Sequence, residues 1–244
     1  MNSLAGKNVV VVGRAGGIAK AIVAMATAEG ATVTIAGRHP EKAKEAFAHL
    51  PSIRIEYVDV LDDESIAGLA SRLDQIDHLV STVSARARGH LADLTREALL
   101  TSFNTKVIGP IMLARALREK LTPGASLTLF TGVSAFKPTA GYLGVAATNG
   151  AVDTLTRSLA VELAPIRVNA VSPGVIDTGA WDAFGEEGKR EYFDEIRRSN
   201  LTGTIGDEDD VASAVLFAMM NPFMTGTTLH IEGGEALGPP KLKA

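Results

Sequence analysis

The stretch Asn8-Val9-Val10-Val11-Val12-Gly13-Arg14-Ala15-Gly16-Gly17-Ile18-Ala19 decides the architecture. Four consecutive β-branched residues without polar alternation predict a strand covered on both faces, since a strand with one wet face would alternate. The run stops at Gly13, and over 18–29 an alanine-rich helical period takes over. Strand, glycine turn and helix form the start of a βαβ unit. The same rhythm continues: 31–36 and 53–58 read as strands, 40–50 as a helix opened by Pro40, and 62–73 as an amphipathic helix. Further strands are predicted over 77–82, 125–131, 166–172 and 227–231, separated by helices over 95–120, 143–163 and 207–220. The economical solution is an α/β, doubly wound fold: a seven-stranded, mostly parallel sheet with helices on both faces, because right-handed crossovers bury both sides of the strands.

No Pro/Gly/Ser-rich linker, repeat or low-complexity tract divides the chain, so a single domain is expected over residues 1–244. One stretch breaks the rhythm. Residues 177–204 carry Trp181, Phe184 and Tyr192 among many charges and follow a strand's carboxyl end, where insertions often cover ligands. A substrate lid is the expectation there, with a surface excursion or an oligomer contact as alternatives. The tail from Gly238 onward reads as loose or partner-packed.

Composition narrows the chemistry. With no cysteine, thiolate nucleophiles, disulfides and sulfur-ligated metals are excluded. The five histidines, His39, His49, His78, His90 and His230, show no ligand spacing, so no metal site is expected. His78, just before a strand, and His230, within one, read as packing or surface residues. A formal net charge of -4 argues against a nucleic-acid-binding face. The Val9–Val12 run is too short to span a bilayer or form a secretory core, so a cytoplasmic protein without membrane association is expected.

The glycines have a physical purpose. Gly13 and Gly17 would let backbone approach a pyrophosphate, with the amides of the helix N-terminus facing its charge. The second strand ends in Arg38-His39, where an acidic residue would bind a ribose diol and repel a 2′-phosphate. Arg38 would instead pair with that phosphate, so NADP(H) is expected over NAD(H), with His39 and Arg14 as further basic candidates. Arg86, Arg88 and His90 form either an anion-friendly rim for an acidic substrate or an exposed basic loop.

Taken together, these features resemble the short-chain dehydrogenase/reductase family over nearly the whole chain, which implies a Rossmann-like fold, hydride-transfer chemistry and a homodimer or homotetramer joined through the long fourth and fifth helices. The resemblance is carried by Gly13 to Ala19, by Arg167-Val-Asn-Ala-Val-Ser-Pro-Gly174 and by Thr225 to Gly234. It implies that Gly13, Arg14, Ala15, Gly17 and Ile18 hold the cofactor phosphates and that Asp59 and Val60 meet the adenine, unless Asp59 only closes a strand-end turn. Pro173, Gly174, Val175, Ile176 and Thr178 would contact the nicotinamide half. The family's Asn-Asn-Ala-Gly segment corresponds to Ser81-Thr82-Val83-Ser84, a substantial departure that backbone contacts to the cofactor could survive. Asn104 falls where the family places an active-site Asn.

The family's catalytic Ser, Tyr and Lys do not match. The gapless register puts Gly132 at the Ser position, Val145 at the Tyr position and Asn149 at the Lys position. Asn149 could hydrogen-bond the ribose but supplies no fixed charge. A substitute site is expected in which Tyr142 donates a proton and Ser134 orients the carbonyl, the alternative being helix-start packing and a turn hydrogen bond. Lys106 points away from Asn104 on an ideal helix and is expected to be solvated. The reading is an NADP(H)-dependent oxidoreductase acting on a small-molecule carbonyl or alcohol through a divergent active site; the alternative is a catalytically inactive dinucleotide-binding sensor or structural protein.

Overall fold

A computed structural model describes residues 3–238; the tail reading beyond Gly238 falls outside them. The first half alternates β1 (Asn8–Val12), α1 (Ile18–Ala28), β2 (Thr32–Gly37), α2 (Pro40–Ala46), β3 (Arg54–Tyr57), α3 (Asp63–Arg72) and β4 (Ile76–Ser81). The second half adds α4 (Arg96–Phe103), α5 (Gly109–Leu117), β5 (Leu121–Phe130), α6 (Leu143–Glu162) and β6 (Arg167–Pro173). It then runs through β7 (Ile176–Asp177), α7 (Gly185–Ser199), β8 (Gly206–Asp207), α8 (Glu208–Met220) and β9 (Thr228–Ile231). Seven strands form one parallel sheet in the order β3-β2-β1-β4-β5-β6-β9, and β7 pairs with β8 beside it. No helix among the described residues is long and apolar enough to cross a membrane.

The valine run explains the layering. Val9 and Val11 pack with Ile22, Val23 and Val215 from α1 and α8 on one face. Val10 and Val12 pack with Leu69, Leu113 and Val152 from α3, α5 and α6 on the other. Alternate side chains of one strand thus enter two cores, and polar alternation would have been destabilising on either side. Strand order reverses between β1 and β4, so the crevice beyond their carboxyl ends is the ligand position in this topology.

The Arg167 segment is a structural clamp. The buried Arg167 guanidinium donates to the carbonyls of Ala218 and Met219 at 2.7 and 2.6 Å, neutralising the last turn of α8. Asn169 donates to Met224 O at 2.9 Å and accepts from Thr227 N at 3.2 Å, which sets the start of β9.

His78 lies within β4, not before it, and is buried with Nδ1 2.8 Å from Ser126 Oγ. Burial, with Arg167 second, draws its pKa from 6.5 down to about 4. The folded protein therefore binds fewer protons than the unfolded chain between those values. The stability this contributes is complete above pH 6.5 and is lost as pH falls toward 4, amounting to about 3 kcal/mol. Urea unfolding from pH 7.5 to 4 should show that decline, and His78→Asn should remove it. A decline of unchanged size in the variant would assign the effect elsewhere.

Candidate active site

The crevice at the switch point is built by close backbone approach. A Cβ on Gly13 would overlap Thr82 Oγ1, and one on Gly37 would overlap Gly13 O, so the ends of β1, β2 and β4 converge only because two positions lack side chains. Gly17 has φ +52°, in the left-handed region, and a Cβ there would lie 3.2 Å from Thr178 Cβ. No side chain caps the N-terminus of α1, so its amides are available to a pyrophosphate. Arg14 and Arg38 are both exposed, and neither has an ion-pair partner among the described residues. His39 is exposed and lies 3.1 Å from Glu41.

Asp59 uses Oδ1 to accept from Leu61 N at 3.0 Å, so it closes the strand-end turn, and its other oxygen has no partner among the described residues. Val60 is half-buried against Gly109, whose Cβ would lie 3.1 Å from it. Ser81 and Ser172, at the ends of β4 and β6, bury hydroxyls with no hydrogen-bond partner among the described residues, Thr82 donates to Val12 O at 3.3 Å, and Val83 is half-buried. Pro173 and Gly174 close β6 over Glu235, whose Oε2 accepts from Val175 N at 3.3 Å; Ile176 is buried behind them. Glycine cradle, orphaned hydroxyls and unpaired cations together fit an anionic dinucleotide.

The catalytic end departs further from the sequence reading. The helix predicted over 95–120 is interrupted by a π-turn at Asn104–Ile108, where Gly109 N donates to Asn104 O. Pro110 has no N–H for the carbonyl of Lys106, so the ladder slips by one residue. Asn104 and Lys106 do point apart, but in the opposite sense to that expected: Asn104 is exposed and Lys106 is buried. The stripe Ser102, Lys106, Pro110, Leu113, Leu117 is buried throughout, and its helical spacing was the available signal that Lys106 faces inward.

Lys106 begins a polar chain. Its Nζ donates to Thr131 O at 3.1 Å and to Asn149 Oδ1, and Asn149 Nδ2 donates to Ser134 Oγ at 2.7 Å. Asn149 is 2% exposed and held from behind by Thr131 Oγ1 on its carbonyl at 2.8 Å. A Cβ at Gly132 would lie 2.8 Å from Asn149 Nδ2, so the space beside Gly132 is taken by the Asn149 amide. Burial, with Arg86 second, pulls the Lys106 pKa down to about 7. Val145 is buried and apolar.

The structure brings Ser134 into this chain. It places Tyr142 elsewhere, half-buried at the start of α6 with the Arg88 guanidinium 5.1 Å from its ring centroid. Arg88 also lies 5.7 Å from Trp181, so one cation links the segment after β4, the start of α6 and the 177–204 insertion. That insertion is largely helical: α7 escaped sequence reading because Phe193 is its only buried residue. Trp181 is 4.9 Å from Tyr192 by ring centroid and donates Nε1–H to Ile176 O at 2.8 Å. Burial raises the Tyr192 phenol to about 12. Arg86 faces Tyr142, Tyr192 and Arg88 in the same cleft; burial is the first cause lowering its pKa, yet its side chain stays open to solvent. No group of acidic and histidine residues that could hold a metal occurs among the described residues.

Residues 13–235 match the family described as enoyl-(acyl carrier protein) reductase. Short-chain dehydrogenase/reductase ATR9 of Stachybotrys chlorohalonatus is 29% identical over 97% of this chain and 100% of its own. Short-chain dehydrogenase/reductase malC of Malbranchea aurantiaca is 31% identical over 96% of each chain. The structure of MalC reductase/Diels-Alderase from Malbranchea aurantiaca superposes with a TM-score of 0.89 at 29% identity, covering 96% of this chain and 98% of that one. A small-chain dehydrogenase solved in complex with NADPH superposes with a TM-score of 0.83 at 28% identity, covering 96% and 100%.

Proposed function

The chain belongs to the short-chain dehydrogenase/reductase family, and from that premise we propose that it is an NADP(H)-dependent oxidoreductase interconverting a small carbonyl compound and its alcohol. The observation that carries the cofactor reading is the pair Arg14 and Arg38, two cations without acidic partners at the mouth of a glycine crevice. Gly13, Ala15, Gly17 and Ile18 would hold the pyrophosphate, Arg14, Arg38 and His39 the 2′-phosphate, and Asp59 and Val60 the adenine. Ser81, Thr82, Val83 and Asn149 would line the nicotinamide ribose, and Pro173, Gly174, Val175, Ile176 and Thr178 the ring. When bound, the dinucleotide supplies the hydride.

The chain's own residues do the rest. Ser134 orients the substrate oxygen: its Oγ accepts from Asn149, which leaves its hydroxyl hydrogen free to be donated. Tyr142 borders the cleft, and residues 177–204 act as the lid that excludes water, with Arg88 bracketed between Tyr142 and Trp181 as its latch. Leu100, Ile108 and Val161 leave exposed apolar surface on the long fourth and fifth helical segments, which supports a homodimer or homotetramer there. The same reading has the protein act in the cytoplasm.

Adding NADPH and a panel of aldehydes and ketones, and following loss of the reduced-nicotinamide absorbance, tests this. Substrate-dependent oxidation is expected with at least one member. Saturable NADPH binding with no turnover across the panel would instead favour the dinucleotide sensor, for which the apolar Val145 and missing hydroxyl at Gly132 speak.

A further inference from the structure

Reduction of a carbonyl needs a hydride at carbon and a proton at oxygen; Val145 carries no proton, Ser134 is used to orient the oxygen, and Tyr142 stands against Arg88 outside the Lys106–Asn149–Ser134 chain. We propose that Lys106 supplies the proton, and that the ammonium this family keeps on the helix after β5 has moved to the facing π-turn, with an asparagine taking its old place at Asn149. The inference rests on the oxidoreductase reading.

Three observations meet at this amine. Lys106 is buried at the end of β5, where no carboxylate pairs with it among the described residues. Of its three N–H groups, one is given to Thr131 O and one to Asn149 Oδ1. The third has no partner among the described residues and is the one available to an oxygen held by Ser134. The Asn149 amide joins the amine to Ser134, and Gly132 is the residue that admits that amide, since any side chain there would meet Nδ2. A lysine serving only to fill the core would have no reason to be tied to a half-buried serine through a buried amide.

The step balances. As hydride arrives at the carbonyl carbon, the C=O π pair moves to oxygen, which takes a proton from Nζ; an O–H bond forms, an N–H bond breaks and the amine is left neutral. Solvent water returns the proton after product leaves. The groups facing Lys106 from β5 and α6, Thr131 and Asn149, are uncharged, and the charge that faces it is Arg86, from the segment after β4. Burial together with that cation favours the neutral amine and makes proton release feasible near neutrality. The reductive rate should therefore be full at low pH and fall as pH rises through the Lys106 pKa.

The decisive comparison is Lys106→Arg, which keeps the charge but releases no proton near neutrality. Single-turnover hydride transfer should fall by about 100-fold or more in Lys106→Arg and in Lys106→Met, with NADPH affinity within about twofold of wild type. Wild-type rates in Lys106→Arg would overturn the proposal and leave the function reading standing; absence of wild-type turnover would overturn both. An independent readout uses the unliganded protein with 13Cε-labelled lysine. The NMR resonance that disappears in Lys106→Met should titrate well below the other lysines, and titration together with them would overturn the assignment. Should both Lys106 variants unfold, Asn149→Asp serves instead: a carboxylate against the amine should move the alkaline limb of the rate profile up by about one unit or more. An unmoved limb would count against Lys106.

Discussion

Asn149→Lys should unfold at a temperature about 6 to 12 °C lower and lose its reductive turnover. The substitution sets a second ammonium against Lys106 where Asn149 is 2% exposed, and it removes the Oδ1 acceptor that holds the existing one. No acidic side chain among the described residues pairs with Lys106 to offset the charge. Like charges about 4 Å apart repel by roughly 4 kcal/mol at an effective dielectric of 20, and burial of the new ion adds to this. Deprotonation of one amine relieves part of it, leaving a loss of about 3 kcal/mol. Exchanging both residues, Lys106→Asn with Asn149→Lys, should recover more than half of the lost stability, because one ammonium and one amide again face each other. Calorimetry on the two single variants and the double exchange measures the coupling directly. Additive effects, or an Asn149→Lys protein as stable as wild type, would show that the two positions do not interact as described.

The same pair shows where sequence reading stops. The glycine crevice was legible because its determinants are local: a valine run, a turn that excludes side chains and a basic pair at the next strand end all lie within residues 8–39. The polar chain joins Lys106, Asn149 and Ser134 from three separate segments, and no local spacing connects them. The facing of Lys106 is hidden for a specific reason: an ideal helix with Asn104 inward turns Lys106 to solvent, whereas the π-turn before Pro110 and the buried stripe from Ser102 to Leu117 turn Lys106 inward and leave Asn104 exposed. Sequence register singles out Gly132, Val145 and Asn149; only packing shows Asn149 tied to Lys106 and Ser134 beside Gly132. Helix α7 was hidden differently, since 15 residues with a single buried side chain give little apolar period to detect.

Arg38→Ala should weaken NADPH binding by about 10- to 100-fold while leaving NADH binding within about twofold, the loss of one charge-assisted contact of about 1.5–3 kcal/mol. Arg38 stands at the carboxyl end of β2, exposed and without an ion-pair partner among the described residues, so its removal exposes no buried acid and disturbs no packing. That separates it from most site variants, whose binding losses mix contact with reorganisation. The effect should shrink as salt is raised, because an exposed cation and a phosphate are screened over about 10 Å at 0.1 M ionic strength. Arg14 lies in the adjoining turn, and Arg14→Ala combined with Arg38→Ala should lose more than either alone. Arg38→Glu goes further: a carboxylate repels the 2′-phosphate and can accept from the free ribose hydroxyls, so preference should pass to NADH. The measurement is fluorescence titration of both cofactors against wild type and the variants at two salt concentrations. Equal losses for NADPH and NADH would place Arg38 against some shared part of the dinucleotide and remove the physical basis for preferring the phosphorylated form.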